Sequence, residues 1–323
     1  MRFTFAMLTP ADRRTCGWAA RISAAVPQAE VAVCTTRQST LAVLRKGAQA
    51  AYGRLDPELL EAASDLRWLA CPAAGPSPDY YFPELVASPV VVTNMRGVYS
   101  DHISAHIMAF VLAFARGFHR LLPRQFKGEW ADEPTLQQVV HLPEATALIV
   151  GVGGIGAATA RHCKHFGMRV IGVDPRCPAP PEGVDELYRP EELDDHLGEA
   201  DFVVVTVPQT PQTQGMFDRE RLSKMKESGV LINVGRGSTV RLDDLNAALR
   251  EGRIGGAALD VFEEEPLPPD HPLWRAPNFL MTPHCASVGP YVRERQLAIL
   301  VENCRRFAEG RELINVVDKA NWF

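Results

Sequence analysis

The 323-residue chain is long enough for two domains at roughly 150 residues each, and its 46% hydrophobic and 23% charged residues are globular values that exclude global disorder. Its 34 Lys and Arg against 39 Asp and Glu leave a net charge of −5, which removes any general electrostatic reason to bind nucleic acid or an anionic membrane. The 25 prolines exceed the usual ~5% share and imply many turns and sharply ended helices.

Taken in chain order, Met1–Leu8 is apolar but meets Thr9-Pro10 too early for a signal peptide. Short runs of strand length then recur at Phe3–Leu8, Val31–Cys34, Trp68–Cys71 and Val90–Thr93. Asp101 to His119 reads as one long helix, with Ile103, Ile107, Phe110, Val111, Phe114 and Phe118 at helical spacing. Its most apolar part, Ile103 to Ala115, is interrupted by His106 and falls short of the roughly 20 residues a membrane span needs. After Leu121-Leu122-Pro123 a polar stretch carrying Trp130 runs through Glu133-Pro134. Strand-length runs resume at Ala147–Val150, Val170–Val173, Phe202–Val207, Val230–Val234, Ala257–Leu259 and Phe279–Met281. Several are continuous rather than alternating, as strands buried on both faces of a parallel sheet should be. Leu242 to Arg250 is a helix with acids early, a base late and a stop at Gly252, and Tyr291 to Ala308 is a further amphipathic helix. Strands alternating with helices predict an α/β fold. The expected division is an inserted domain over residues 99–289 within a domain built from residues 1–98 and 290–323.

The seven cysteines, Cys16, Cys34, Cys71, Cys163, Cys177, Cys285 and Cys304, are scattered with no CxxC spacing, so neither a zinc site nor a disulfide framework is suggested. The expectation is a soluble, reduced, cytoplasmic protein without a metal. His102, His106, His119, His162 and His165 form no metal set and read as structural.

Gly151-Val152-Gly153-Gly154-Ile155-Gly156 follows the strand ending at Val150 and opens a helix to about Phe166, and the next strand ends in Asp174. In this spacing Gly151 allows the tight turn, Gly153 lets a pyrophosphate approach the backbone, and Gly156 lets helix and strand pack closely. The helix N-terminus offers N–H groups and a positive dipole end to the phosphates. Asp174 can accept hydrogen bonds from ribose hydroxyls, and its charge repels a 2′-phosphate. NAD(H) is therefore the preferred cofactor, with NADP(H) possible because Arg176 lies close by.

Three further segments end probable strands: Asn233-Val234-Gly235-Arg236-Gly237, Ala258 to Pro266, and Thr282-Pro283-His284. Beside a dinucleotide, Arg, Glu and His suit hydride transfer to a carbonyl. Arg236 can hold a carboxylate and polarise a carbonyl. His284 can protonate the developing alkoxide. A carboxylate such as Glu265 can hold the imidazole in one orientation. Cys285 beside His284 has no nucleophilic task in such a reaction.

On these segments the chain resembles the D-isomer-specific 2-hydroxyacid dehydrogenases along essentially its whole length. The resemblance implies a Rossmann-type doubly wound parallel sheet inserted in a flavodoxin-like α/β substrate domain, with the active site in the cleft between domains. It implies Arg236 as substrate-binding and His284 as acid/base. It picks Glu265, directly before Pro266, over Glu263 and Glu264 as the orienting acid. It places Ile155 and Gly154 at the cofactor, Thr206, Val207 and Pro208 near the adenine, Val234 and Gly235 near the nicotinamide ribose, and Asp260 near the carboxamide. Ala74 and Gly75 match the family loop whose backbone amides hold the substrate carboxylate, and Arg96 is a second substrate-facing cation.

The chain departs from the family at three points. Pro76 follows Gly75 and lacks an N–H. The long helix has Ser104-Ala105-His106 where Ala-Glu-His is common. Cys285-Ala286-Ser287 follows His284. The expected substrate is a small 2-keto or D-2-hydroxy acid, of the glyoxylate or hydroxypyruvate kind, and the expected assembly a homodimer. Rival readings are a short-form phosphoglycerate dehydrogenase, disfavoured because the chain stops at Phe323 soon after its last helix, and a co-repressor-like protein that senses NADH. Formate dehydrogenases carry Gln where this chain has Glu265.

Overall fold

The computed structural model describes residues 1–8, 16–76 and 78–321; Thr9-Pro10 and Phe323, named above, lie outside them. The chain divides into two compact units, Met1–Val98 with Gly289–Phe323, and Tyr99–Val288.

The first unit holds β1 (Phe3–Met7), β2 (Ala29–Val33), β3 (Ala50–Tyr52), β4 (Trp68–Ala70) and β5 (Val91–Thr93) in a parallel five-stranded sheet of order β2-β1-β3-β4-β5. On one face Phe5 stacks on Trp68 at 5.4 Å between ring centroids, and Phe307 of the helix Val292–Glu309 closes over Trp68 at 5.7 Å and Phe3 at 4.8 Å. Leu44, Leu59, Leu69 and Leu85 fill the opposite face. Short helices are fixed by their first turns. Asp56 caps the helix Pro57–Glu61 by accepting from Leu59 N, and Thr36 with Ser39 forms a capping box at Arg37–Arg45. The buried Trp68 donates Nε1–H to Thr93 Oγ1 at 2.9 Å, which satisfies the one polar atom of the indole.

The second unit holds β6 (Thr146–Val150), β7 (Arg169–Val173), β8 (Glu186–Tyr188), β9 (Phe202–Val205), β10 (Val230–Asn233), β11 (Gly256–Leu259) and β12 (Phe279–Met281). All pair in parallel in the order β12-β11-β10-β9-β6-β7-β8. Alternate residues of each central strand go to opposite faces, and both faces are covered. Leu148, Val203, Val205 and Leu231 pack with Leu245 and Leu249, while Ile149, Val204 and Ile232 pack with Ile107, Val111 and Phe114. That double burial is why these strands read as unbroken apolar runs.

Three expectations are corrected. β3 and β8 were not foreseen: each is three residues long, and Ala-Ala-Tyr and Glu-Leu-Tyr carry no β-branched side chain. The long helix does not run from Asp101 to His119. It spans Ser100–Ala115 and stops at Gly117, whose φ of 72° is left-handed. A second helix, Phe118–Lys127, then turns 71° away and continues through Pro123, where a polar non-helical stretch was expected. Among the described residues no single helix is long and apolar enough to cross a membrane.

Removing the acceptor of Trp68 leaves a penalty that removing the donor as well relieves. Thr93→Val leaves the buried indole N–H unpaired and is expected to cost about 1–3 kcal/mol in urea unfolding. Trp68→Phe with Thr93→Val should cost less than the sum of the two single changes.

Candidate active site

Gly151 follows β6 with φ 95°, and a Cβ there would stand 3.0 Å from Val207 Cγ1 and 3.1 Å from Thr206 Oγ1. Thr206 also donates its hydroxyl to Gly151 O at 2.6 Å, so the segment after β9 clamps the turn. Gly156 lets the helix Gly154–His165 lie on β6, since a Cβ there would be 2.0 Å from Gly151 O. A Cβ on Gly153 would meet nothing within 4 Å, so the space beside the helix start is open. The amides of Gly154, Ile155 and Gly156 form the first turn, where N–H groups have no intrahelical acceptor. An open, glycine-lined helix N-terminus fits the pyrophosphate of a dinucleotide.

Asp174, at the end of β7, is 8% exposed. Its Oδ1 accepts from Arg176 N at 2.8 Å and Cys177 N at 3.0 Å, and its Oδ2 accepts from Val152 N at 2.9 Å. The carboxylate thus ties the glycine loop to the loop after β7. Arg189, directly after β8, donates Nη1–H to Pro175 O at 2.7 Å, which brings a second guanidinium to this loop.

Arg236 follows β10 in a turn folded by Asn233. The buried Asn233 donates to Arg236 O at 3.0 Å and to Thr239 Oγ1 at 3.1 Å, and accepts from Gly235 N at 3.0 Å. Thr239 donates its hydroxyl to Arg236 O at 2.7 Å. Arg236 is half-buried and donates Nη1–H to Gly235 O at 2.5 Å. Burial pushes its pKa below the ordinary value and the charge of Glu265 opposes that, leaving a cation. Val234 is buried, and Gly235 is required because a Cβ would stand 2.6 Å from Val207 O. Gly237 is required more strictly, since a Cβ there would lie 1.9 Å from both C and O of Phe262. That approach brings the Arg236 turn against the segment that carries Glu265.

Glu265 accepts from Phe262 N at Oε1, 2.9 Å, and binds His284 Nδ1 through Oε2 at 2.7 Å. His284 follows β12 with φ 49°, a conformation rare for a residue other than glycine. Its backbone N donates to Asp260 O at 2.8 Å and Thr282 O at 3.0 Å. Asp260, 2% exposed at the end of β11, accepts from Thr282 Oγ1 at 2.6 Å, Cys285 N at 2.8 Å and Ala286 N at 3.0 Å. Its carboxylate therefore organises the turn that carries His284. Glu265 and His284 touch directly, and Arg236 is joined to them through Gly237 and Phe262.

In the other unit, Asn94 gathers the loop of Ala74 and Gly75. Its Nδ2 donates to Ala74 O at 2.8 Å, its Oδ1 accepts from Arg96 N at 3.1 Å, and Met95 N donates to Ala73 O at 3.1 Å. Asn315 donates to Asn94 O at 3.3 Å and Arg96 O at 2.9 Å, and Gln296 to Pro72 O at 3.2 Å. Arg96 is exposed. Sequence reasoning did not single out Asn233, Thr239, Asn315 or Gln296. Asn233 stood inside a quoted motif, and its place directly before Val234-Gly235 is the signal that marks it. Nothing local marks Asn315.

Gly237→Ala is expected to cost about 1–3 kcal/mol of stability by overlap with Phe262, read as a lowered midpoint in thermal unfolding. Gly17→Ala, at an exposed position of the helix Cys16–Ala25 where a Cβ meets nothing within 4 Å, should leave the midpoint unchanged or raise it.

The family described as D-isomer specific 2-hydroxyacid dehydrogenase, NAD binding domain, matches residues 108–286. A glyoxylate reductase of Korarchaeum cryptofilum is 37% identical over 268 residues, which cover 82% of this chain and 80% of that protein. Several other curated relatives are matched over little more than half their own length. A D-isomer specific 2-hydroxyacid dehydrogenase of Xanthobacter autotrophicus, solved with NADPH and MES, superposes with a TM-score of 0.85 at 28% identity over 100% of both chains. An NADPH-dependent glyoxylate/hydroxypyruvate reductase of Sinorhizobium meliloti, solved with NADP and sulfate, gives 0.83 at 28% identity, again over 100% of both chains. With its glycine loop, its two parallel sheets and these matches, the chain belongs to the D-isomer-specific 2-hydroxyacid dehydrogenase family.

Proposed function

We propose that this protein reduces a small 2-keto acid, glyoxylate or hydroxypyruvate, to the corresponding 2-hydroxy acid, of D configuration where the product is chiral, with a reduced nicotinamide dinucleotide. The observation that carries the reading is the Glu265–His284 pair at 2.7 Å, set after β11 and β12 of the sheet whose β6 bears the glycine loop. Glu265 engages Nδ1 of the imidazole, which leaves Nε2 to exchange a proton with substrate. Arg236 is the cation for the substrate carboxylate and carbonyl, and its partial burial strengthens that attraction. Ala74 and Gly75 offer backbone amides to the carboxylate, and Arg96 adds an exposed charge. Bound NAD(P)H supplies the hydride. His284 gives its proton to the developing alkoxide; in the oxidative direction neutral His284 takes that proton.

Gly151, Gly153, Gly154, Ile155 and Gly156 hold the pyrophosphate in this reading. Thr206, Val207 and Pro208 flank the adenine, Val234 and Gly235 the nicotinamide ribose, and Asp260 the carboxamide. NAD(H) is preferred because the Asp174 carboxylate opposes a 2′-phosphate. Arg176 after β7 and Arg189, whose side chain reaches the same loop, keep NADP(H) usable.

The partner protein is a second copy, in the cytoplasm. Supporting it, the helix Phe118–Lys127 buries none of its side chains. Phe118, Leu122, Phe126 and Trp130 recur every four residues at 50%, 41%, 84% and 96% exposure. Such an apolar line gains from being covered.

Oxidation of NADH and NADPH should be followed with glyoxylate, hydroxypyruvate, pyruvate, phenylpyruvate, oxaloacetate and 3-phosphohydroxypyruvate. Glyoxylate or hydroxypyruvate is expected to turn over, and His284→Ala to lower kcat by about 10²–10⁴-fold. Tight NADH binding with no turnover of any keto acid would overturn the reductase in favour of a sensor. Turnover of 3-phosphohydroxypyruvate alone would move the assignment to phosphoglycerate. Light scattering should give twice the 35.6 kDa chain mass, and Phe126→Glu with Trp130→Glu should give the monomer.

A further inference from the structure

The sequence reading set His106 aside as structural, yet its ring reaches the turn that carries His284. His106 lies on the helix Ser100–Ala115, edge-on to Phe110 at 4.8 Å between ring centroids. Its Nε2 is 2.9 Å from Thr282 Oγ1. Thr282 Oγ1 is in turn 2.6 Å from Asp260 Oδ1. Proton counting fixes the direction of this chain. A threonine hydroxyl has one hydrogen, and an ionised carboxylate only accepts. A 2.6 Å contact between the two oxygens requires that hydrogen to lie between them. Nothing remains for Thr282 to donate to the imidazole, so His106 must be the donor, with its proton on Nε2.

Beyond Asp260 the chain continues into the backbone. The same Oδ1 accepts from Cys285 N and Oδ2 from Ala286 N, at 2.8 and 3.0 Å. These two amides immediately follow His284, whose φ of 49° persists only if its surroundings hold it. Glu265 fixes the imidazole from the other side.

We propose that His106 is a positioning residue for His284, acting through the hydroxyl of Thr282 and the carboxylate of Asp260. The inference rests on the reductase reading for its kinetic consequences and on geometry alone for its tautomer. His106 touches neither substrate nor nicotinamide in this account. It sets which way Asp260 points, and Asp260 sets the turn.

The test uses His106→Leu, His106→Gln, Thr282→Val and the double change His106→Leu with Thr282→Val in the full chain. Leu and Val should each lower kcat for the keto acid by about tenfold or more, as a small misplacement of a reacting group does. KM for the keto acid should move far less than kcat. Gln can donate from its amide and should recover kcat to within about threefold of the wild type. The double variant should be no slower than the slower single one, because both break one chain of bonds. Wild-type kcat in His106→Leu, a Gln variant as slow as Leu, or losses that multiply in the double variant would each overturn the proposal. Thermal unfolding of each variant separates a positional loss from a folding loss. Imidazole ¹⁵N spectra of the unmutated protein give a readout independent of folding variants and of turnover. His106 should be the Nε2–H tautomer, and finding the Nδ1–H tautomer overturns the relay. A protein that turns over no keto acid but shows the Nε2–H tautomer would sink the reductase reading and leave the relay standing.

Discussion

The parallel pairing of every strand is the constraint on which the rest depends. A parallel sheet cannot be built from hairpins, so each strand must be followed by a crossover and must end on the same edge as its neighbours. In the seven-stranded sheet that edge collects the residue after each strand: Gly151 after β6, Asp174 after β7, Thr206 after β9, Val234 after β10, Asp260 after β11 and Thr282 after β12. Residues more than a hundred positions apart become neighbours without any long-range design beyond the pairing itself. Close packing then decides which residues can stand there. Gly156, Gly235 and Gly237 are glycines because another backbone occupies the space of a Cβ, while Gly153 is bounded by nothing. Three of these glycines build the edge and one leaves it open.

What was legible in the sequence follows the same division. The long strands were visible because both of their faces are buried, and the segments of Arg236, Glu265 and His284 because each follows the end of such a strand. β3 and β8 were not, since Ala-Ala-Tyr between Gln49 and Gly53 and Glu-Leu-Tyr between Asp185 and Arg189 make no apolar run. The break at Gly117 was hidden because Phe118 continues the apolar spacing of the helix before it. The polar contacts that orient the site were the least visible. His106 and Thr282 lie 176 positions apart, and neither residue type announces the other. Nor does Asn315 signal that it will fasten the backbone at Asn94 and Arg96. Such pairings are set by tertiary packing, on which local spacing is silent.

Asp174 illustrates how one residue can carry two tasks. Its charge argues for NAD(H), but its oxygens are also spent on the amides of Val152, Arg176 and Cys177. Replacing it to admit a 2′-phosphate would release those three amides together. Cofactor preference and loop order are therefore coupled at this position. The nearby arginines offer the less disruptive route, because the guanidinium of Arg189 donates to a backbone carbonyl, that of Pro175, rather than holding the glycine loop.

The helix Val292–Glu309 has a temporal consequence for the protein's synthesis. It supplies Phe307 to the aromatic layer of Phe3 and Trp68, the carboxylate of Glu294 to Arg21, and, at Ala308, the carbonyl that receives the amino terminus. The ribosome makes that helix only after the whole of residues 99–288, whose sheet draws on no strand outside that span. The inserted unit can complete its core during translation. The N-terminal sheet must wait with Phe3 and Trp68 uncovered by Phe307, its aromatic face only partly roofed by Trp18 on Tyr52, until the returning helix emerges. A nascent chain of this protein thus carries its oldest segment as its last to mature, and it is there that a chaperone would find apolar surface to hold.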